Sequence, residues 1–228
     1  MLLFLCAIIW GSAFVSQRLG MSYIEPLTFN SVRTLIGGLF LLPFIPVFCR
    51  KADRTESPSY NRRDLIVGAI ICGAVLCIAS SLQQVGIKYT SAGKAGFITS
   101  LYILLVPIFG LIIGRKVKAA VWGGIIMAVA GLYMLCLSEK FVLEKGDFFV
   151  IMCAVAFAIH ILAVGYFVLR VPGVKLACYQ FIVAGLLGMV GMFMFETPRI
   201  SDILSCALPI LYAGVFSCGI AYTLQVVG

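Results

Sequence analysis

The stretch that decides the fold is residues 79–114, ASSLQQVGIKYTSAGKAGFITSLYILLVPIFGLIIG. Two apolar segments in it meet at a short polar hinge, residues 88–94. The first segment returns near the end of the chain, where AYTLQVVG (221–228) repeats the alanine, leucine, first glutamine, valine and glycine of ASSLQQVG (79–86). A helix–hinge–helix unit whose beginning occurs twice is typical of a membrane transporter built from repeats.

Composition assigns the chain to the membrane. Hydrophobic residues make up 62% of the 228 residues and charged residues 11%, whereas soluble domains are about half apolar and a quarter charged. Eight apolar runs follow one another, most of them near the roughly 20 residues that a helix needs to cross a bilayer. They lack the alternation of barrel strands. The sequence therefore predicts an all-α polytopic membrane protein in contact with the lipid bilayer.

The net charge of +8 raises the alternative of a nucleic-acid-binding protein, but the distribution of charge opposes it. The second, fourth and sixth gaps between apolar runs (50–64, 115–118 and 170–175) hold most of the Lys and Arg residues. The other gaps mix basic with acidic residues. This asymmetry follows the positive-inside rule. It predicts a multi-pass protein of the cell membrane with a cytoplasmic N-terminus and no nucleic-acid partner.

Further correspondences extend the repeat beyond its eight-residue core. Cys6-Ala7 and Trp10 align with Cys153-Ala154 and Phe157, and Phe29-Asn30 aligns with Tyr179-Gln180. The first three apolar runs therefore correspond to the sixth, seventh and eighth. Because the repeat unit has an odd number of helices, five, its second copy must cross the membrane upside down. The sequence predicts an inverted-repeat helical bundle with a first repeat at 1–140, a partial second repeat at 141–228, and a substrate site between them.

Three stretches carry a family resemblance: AIIWGSAFVSQRLG (7–20), EPLTFNSVRTLIGG (25–38) and SLQQVGIKYTSAGKAGFITSLYILLVPIFG (81–110). They resemble the EamA-type transporters of the drug/metabolite transporter superfamily, and the resemblance covers the whole chain. It implies ten helices in two inverted five-helix repeats, cytoplasmic termini, and a central cavity for small metabolites. With eight helices here, it further implies a C-terminally truncated chain that lacks the ninth and tenth.

Arg33 is the sharpest single candidate for the substrate pathway. It lies inside the second apolar run, where a charged side chain is costly unless it has a function or a partner. We predict that it lines the cavity together with Asn30, and that it favours an anionic or amino-acid-like substrate. The alternative is that Arg33 reaches the outer membrane surface or pairs with a backbone carbonyl.

The other candidates are polar or aromatic residues within apolar runs, each with a structural alternative. Trp10 could equally serve helix packing or the interfacial aromatic belt, and Gln83 and Tyr102 could form hydrogen bonds between helices. His160, the only histidine, could relay protons, but the apolar runs offer it no carboxylate partner. The predicted substrate pathway is Trp10, Asn30, Arg33, Gln83, Tyr102 and His160.

The sequence thus predicts a secondary carrier that moves a small metabolite or drug-like solute by alternating access. The alternatives are a non-transporting structural or assembly protein and an inactive fragment. A membrane-embedded enzyme would need a catalytic constellation, and none is visible in the helices. Gly93-Lys94 is followed by Ala95, so no phosphate-binding loop is present. No catalytic residue, cofactor or metal site is predicted.

Overall fold

The computed structural model describes residues 2–46, 60–136 and 144–227. Its helices are α1 (Leu2–Gly20), α2 (Pro26–Leu41), α3 (Arg62–Tyr89), α4 (Ala92–Ser100), α5 (Tyr102–Ile112), α6 (Ala119–Cys136), α7 (Lys145–Phe167), α8 (Gly173–Phe195), α9 (Ile200–Ser205), α10 (Ala207–Leu211) and α11 (Tyr222–Val227). A 3₁₀ turn, Leu42–Phe44, follows α2, and a π-helical segment, Tyr212–Ala221, joins α10 to α11. The described residues contain no strand.

Six helical stretches among the described residues are long and apolar enough to cross a membrane. They are Pro26–Phe44, Arg62–Tyr89, Ala92–Ile112, Lys145–Phe167, Gly173–Phe195 and Ala207–Gln225. Two further apolar helices, Phe4–Gly20 and Ala119–Gly131, are shorter. The prediction of an all-α polytopic membrane protein is therefore confirmed. The predicted loop at 50–64 lies mostly, and the predicted repeat boundary at 140/141 wholly, outside the described residues.

The packing has an internal symmetry that exchanges α1, α2 and α3 with α7, α8 and the segment 207–227. The contact between α3 and α7 corresponds to the contact between segment 207–227 and α1. The contact between α3 and α8 corresponds to the contact between segment 207–227 and α2. Helices α2 and α8 pack on each other at the centre. Glycines allow close packing at equivalent contacts of the two halves. A Cβ added at Gly73 on α3 would lie 2.7 Å from Val183 on α8, and one added at Gly214 in the last segment would lie 2.8 Å from the Arg33 carbonyl on α2.

The paired helices run in opposite directions, as inverted repeats require. The start of α2 meets the end of α8, because Glu196 accepts hydrogen bonds there from the backbone N–H groups of Leu27 and Thr28. The end of α3 likewise meets the start of α7, where the Thr90 hydroxyl donates to Asp147. Helix α1 runs antiparallel to the last segment, since Ser16 donates to the Pro209 carbonyl and Cys6 to that of Ala221. It runs parallel to α3, since Arg18 near the end of α1 donates to the Ile87 carbonyl near the end of α3.

Two apolar runs that the sequence predicts as single helices are interrupted. The fourth run breaks at Leu101, between α4 and α5, and Pro107 lies inside α5. The Ser100 hydroxyl donates to the carbonyl of Gly96 four residues back, a bond that bends helices. The eighth run changes at residue 212 from α-helical to π-helical hydrogen bonding, an irregularity that is frequent at functional sites.

Glu196 caps a helix of the opposite half, and its removal should destabilise the fold. Its two carboxylate oxygens accept from the N–H groups of Leu27 and Thr28 and from the Thr28 hydroxyl, all at 2.7–2.8 Å. The residue before α2, Glu25, makes no capping bond of its own. We expect Glu196→Ala to lower the free energy of unfolding by about 1–2 kcal/mol, as loss of an N-cap does. Thermal unfolding in detergent measures this, and Glu196→Gln, which keeps an acceptor oxygen, should lose less.

Candidate functional site

A cavity of about 510 Å³ lies between the two halves of the bundle. Both halves contribute to its wall, which is mostly apolar. The first half supplies Trp10, Phe14, Arg33, Gln83 and Tyr102, and the second supplies Phe157, His160, Phe181, Ser217, Cys218 and Tyr222. Several of these come from the interrupted parts of the two irregular runs. The breaks at Leu101 and at the π-helical segment therefore shape the cavity wall.

Five of the six residues predicted for the substrate pathway line this cavity: Trp10, Arg33, Gln83, Tyr102 and His160. The sixth, Asn30, is buried and lies behind the wall, where it contacts Arg33. Trp10 donates its indole N–H to the Ser217 carbonyl at 3.3 Å. Gln83 donates to the Thr99 hydroxyl, also at 3.3 Å. These residues are therefore neighbours in space, and their role in binding a substrate stays a prediction.

Arg33 is a buried cation held in place by an amide. The residue is only 4% exposed, and its Nε and Nη2 both donate to Asn30 Oδ1, at 3.2 and 3.0 Å. The residues are three apart on α2, so they share a helix face. Asn30 is fixed in turn, because its Nδ2 donates to the hydroxyls of Ser80 and Ser81 on α3. Among the described residues, no carboxylate forms an ion pair with Arg33.

The corresponding position in the second half holds a neutral polar group. Gln180, which aligns with Asn30 in the repeat, places Oε1 3.1 Å from His160 Nε2, and the Tyr222 hydroxyl lies 3.4 Å from the same nitrogen. Tyr222 occupies the repeat position of Ser80. Gln180 Nε2 is buried with no hydrogen-bond partner among the described residues. The two halves thus share an amide-centred network, but only the first carries a permanent charge.

Sequence reasoning missed the aromatic residues of the second half. Phe157 lies between Tyr102 and His160, with ring centroids 6.4 Å from each. Tyr222 continues the series to Phe181, at 6.1 Å from His160 and 4.9 Å from Phe181. The repeat alignment offered a signal, because it pairs Phe157 with Trp10 and Tyr222 with Ser80. Aromatic residues in an apolar run otherwise look the same whether they face lipid or a cavity.

Ionic contacts join the two halves of the bundle beside Ala92 and Gly93, which line the cavity. Lys94 Nζ, at the last residue of the hinge, lies 2.7 Å from Asp147 and 3.9 Å from Glu144, at the start of α7. Asp147 is fully buried and also accepts from Thr90. On the same side, Lys88 pairs with Glu25 within the first half. The Lys94–Asp147 pair joins the two halves, and we call it the inter-half ion pair.

A second, more open cleft reaches toward the cavity from the other end. Its wall includes three basic residues of the short turn after α5: Arg115, Lys116 and Lys118. It shares four wall residues with the cavity: Tyr102, Ile103, Ile161 and Gln225. Within the described ranges, no three His, Cys, Asp or Glu side chains cluster as a metal site would require. The seven cysteines whose side chains are described are all free.

Comparison with known proteins agrees with this architecture. The sequence model of the EamA-like transporter family matches residues 1–137. An uncharacterized transporter of Archaeoglobus fulgidus is 28% identical over 223 residues, covering 97% of this chain and 66% of that protein. The uncharacterized inner membrane transporter YedA of Escherichia coli K12 is 28% identical over 134 residues, covering 58% of this chain and 42% of YedA. The chain thus spans less than two thirds of the length of these relatives.

A solved crystal structure of another protein shares the fold. It superposes with a TM-score of 0.73 over all of this chain and 77% of the other, at 19% sequence identity. At that identity the likeness concerns the fold alone.

Proposed function

The chain belongs to the EamA-like transporter family, and from that premise we propose that it is a secondary carrier of a small organic solute. The carrier works by alternating access, with the two halves rocking about the cavity between them. Trp10, Arg33, Gln83, Tyr102 and His160 form the wall that meets the solute, and Asn30 positions Arg33. The proposal assigns no catalytic residue, cofactor or metal. It places the chain in the cell membrane with its N-terminus in the cytoplasm.

The observation that carries this proposal is a cavity between inverted halves that differs at its two ends. The inter-half ion pair joins the two halves at the hinge end, and the basic turn after α5 borders the more open cleft at the other end. The positive-inside rule assigns that basic turn to the cytoplasm. The conformation described here is then the one that is open toward the cytoplasm, and opening the opposite end requires Lys94 to separate from Asp147. A protein that only packs against partners has no need of such a buried cavity with an arginine in its wall.

The native thiol of Cys218 tests alternating access without knowledge of the substrate, because it lines the cavity. A small membrane-impermeant methanethiosulfonate is applied to right-side-out and to inverted vesicles that contain the chain. Cys218→Ser is the matched control, and its labelling is subtracted to remove the signal of the other cysteines. We expect labelling of Cys218 from both sides, because a carrier exposes its cavity to each in turn.

The ratio of Cys218 labelling from the outer side to labelling from the inner side should depend on the inter-half ion pair. Asp147→Asn removes its negative charge and should raise labelling from the outer side about threefold or more, at the expense of the inner side. Glu25→Gln weakens the Lys88–Glu25 pair, which lies at the same end but within one half, and should leave the balance unchanged. Labelling from one side only, unaffected by Asp147→Asn, contradicts the carrier and favours the non-transporting alternative.

A further inference from the structure

We infer that the cavity binds an aromatic or similarly flat monocarboxylate, with the carboxylate on Arg33, and selects against cations and zwitterions. This inference rests on the proposed function and names the chemical class of its solute. Three features of the structure lead to it: the free edge of the Arg33 guanidinium, the absence of acid from the described wall, and the aromatic rings that surround the remaining space.

The guanidinium of Arg33 is only half used by the protein. Nε and Nη2 converge on one acceptor, Asn30 Oδ1, which occupies one edge of the planar group. Nη1 has no hydrogen-bond partner in the described part of the chain, and Arg33 lines the cavity. The end formed by Nη1 and Nη2 is therefore available to a ligand. A carboxylate fits this end with two parallel hydrogen bonds, which is the strongest pairing that arginine makes.

Among the described residues, the charge of Arg33 has no counter-charge nearby. The described residues of the cavity wall include no Asp or Glu, and Arg33 is their only Lys or Arg. The ion pairs among the described residues, between Lys88 and Glu25 and between Lys94 and its two carboxylates, lie at the hinge end. A buried charge without compensation is costly, so an anionic ligand is favoured by relieving that cost. The ammonium group of a cation or zwitterion finds no carboxylate in this wall.

The rest of the space suits a flat apolar group. Trp10, Phe14, Phe157, Phe181 and Tyr222 line it, and aromatic side chains hold a ligand ring by stacking and edge-to-face contacts. The volume of about 510 Å³ lies in the range of small-molecule pockets and admits a ligand of one or two rings. The basic cleft beside Arg115 adds a positive potential along the open approach, which attracts anions.

A ligand series on the purified chain tests the inference. Trp122→Phe leaves Trp10, in the cavity wall, as the only tryptophan, so its fluorescence reports binding. The probes share one ring: 3-phenylpropanoate, 2-phenylethylamine and L-phenylalanine, with acetate as the carboxylate without a ring. We expect saturable binding of 3-phenylpropanoate and at least tenfold weaker binding of each of the other three. Equal or tighter binding of the amine or of phenylalanine overturns the inference without any variant at Arg33.

Variants at Arg33 then locate the carboxylate. Arg33→Gln should weaken the binding of 3-phenylpropanoate at least tenfold. Arg33→Lys keeps the charge but loses the paired N–H donors of the guanidinium, so its affinity should lie between those of Arg33→Gln and the parent protein. Arg170→Gln makes the same change at an exposed arginine and should alter affinity less than twofold. Unchanged affinity in a folded Arg33→Gln protein overturns the assignment. These titrations need no turnover, so the two proposals can fail separately. Binding of 3-phenylpropanoate together with labelling of Cys218 from one side only would refute the carrier alone. Labelling of Cys218 from both sides without binding of 3-phenylpropanoate would refute the ligand class alone.

Discussion

Asp147→Ala should lower the free energy of unfolding by about 3 kcal/mol, as removal of one member of a buried ion pair does. The Asp147 carboxylate is fully buried and accepts three hydrogen bonds or ionic contacts: from Lys94 Nζ at 2.7 Å, from the Thr90 hydroxyl at 2.7 Å, and from the Glu144 backbone N–H at 2.9 Å. The last of these belongs to a capping box that begins α7. The substitution therefore removes a link between the halves and a helix cap together.

Two variants separate the contributions to this loss. Thr90 and Glu144 donate to different carboxylate oxygens of Asp147. Asp147→Asn removes the charge but keeps one oxygen, which can accept from one of these two donors, so it should cost less than alanine. Glu25→Ala breaks the Lys88–Glu25 pair, which is half exposed and should contribute less than 1 kcal/mol. Thermal and denaturant unfolding of the detergent-solubilised chain gives all three values. Equal losses for Asp147→Ala and Glu25→Ala would show that burial does not strengthen the inter-half ion pair.

The membrane helices were predictable because one physical constraint dominates them. A segment that crosses lipid must be long, apolar and internally hydrogen bonded, and each of these properties can be read from a sequence. The repeat then pairs the first three apolar runs with the last three. The breaks at Leu101 and in Tyr212–Ala221 could not be predicted, because both depend on local hydrogen bonding that leaves composition unchanged.

The sequence predicted the cavity residues whose side chains are costly to bury in a membrane and missed those whose burial costs little. Arg33 stands out in an apolar run, and Asn30, three residues away, is its nearest available acceptor on the same helix face. Phe181 gives no such signal, since lipid would accept its side chain, and Tyr222 is marked only by its repeat position, which pairs it with Ser80. The contact of Lys94 with Asp147 was also missed. Both lie in gaps predicted to be outside, but their pairing depends on the antiparallel packing of α3 against α7.

Gly146→Ala should destabilise the same junction through packing alone, by about 2–3 kcal/mol. A Cβ at this position would lie 2.5 Å from the Gly86 carbonyl oxygen, 2.8 Å from the Tyr89 carbonyl carbon and 2.9 Å from the Thr90 nitrogen. All three atoms belong to the backbone of the hinge and the end of α3, so no side chain can rotate away. Helices α3 and α7 must therefore separate, as expected where a small residue sets the distance between membrane helices.

The matched control is alanine at Gly123 or Gly124 on α6, where an added Cβ meets nothing within 4 Å among the described atoms. There the change should be neutral or stabilising by about 0.5 kcal/mol, because alanine favours the helix. Unfolding midpoints of the three variants, measured in the same detergent, give the comparison. A separated α3 and α7 should also weaken the inter-half ion pair and shift Cys218 labelling outward in Gly146→Ala but not in the α6 variants. Equal stability of all three proteins would contradict the close approach at Gly146.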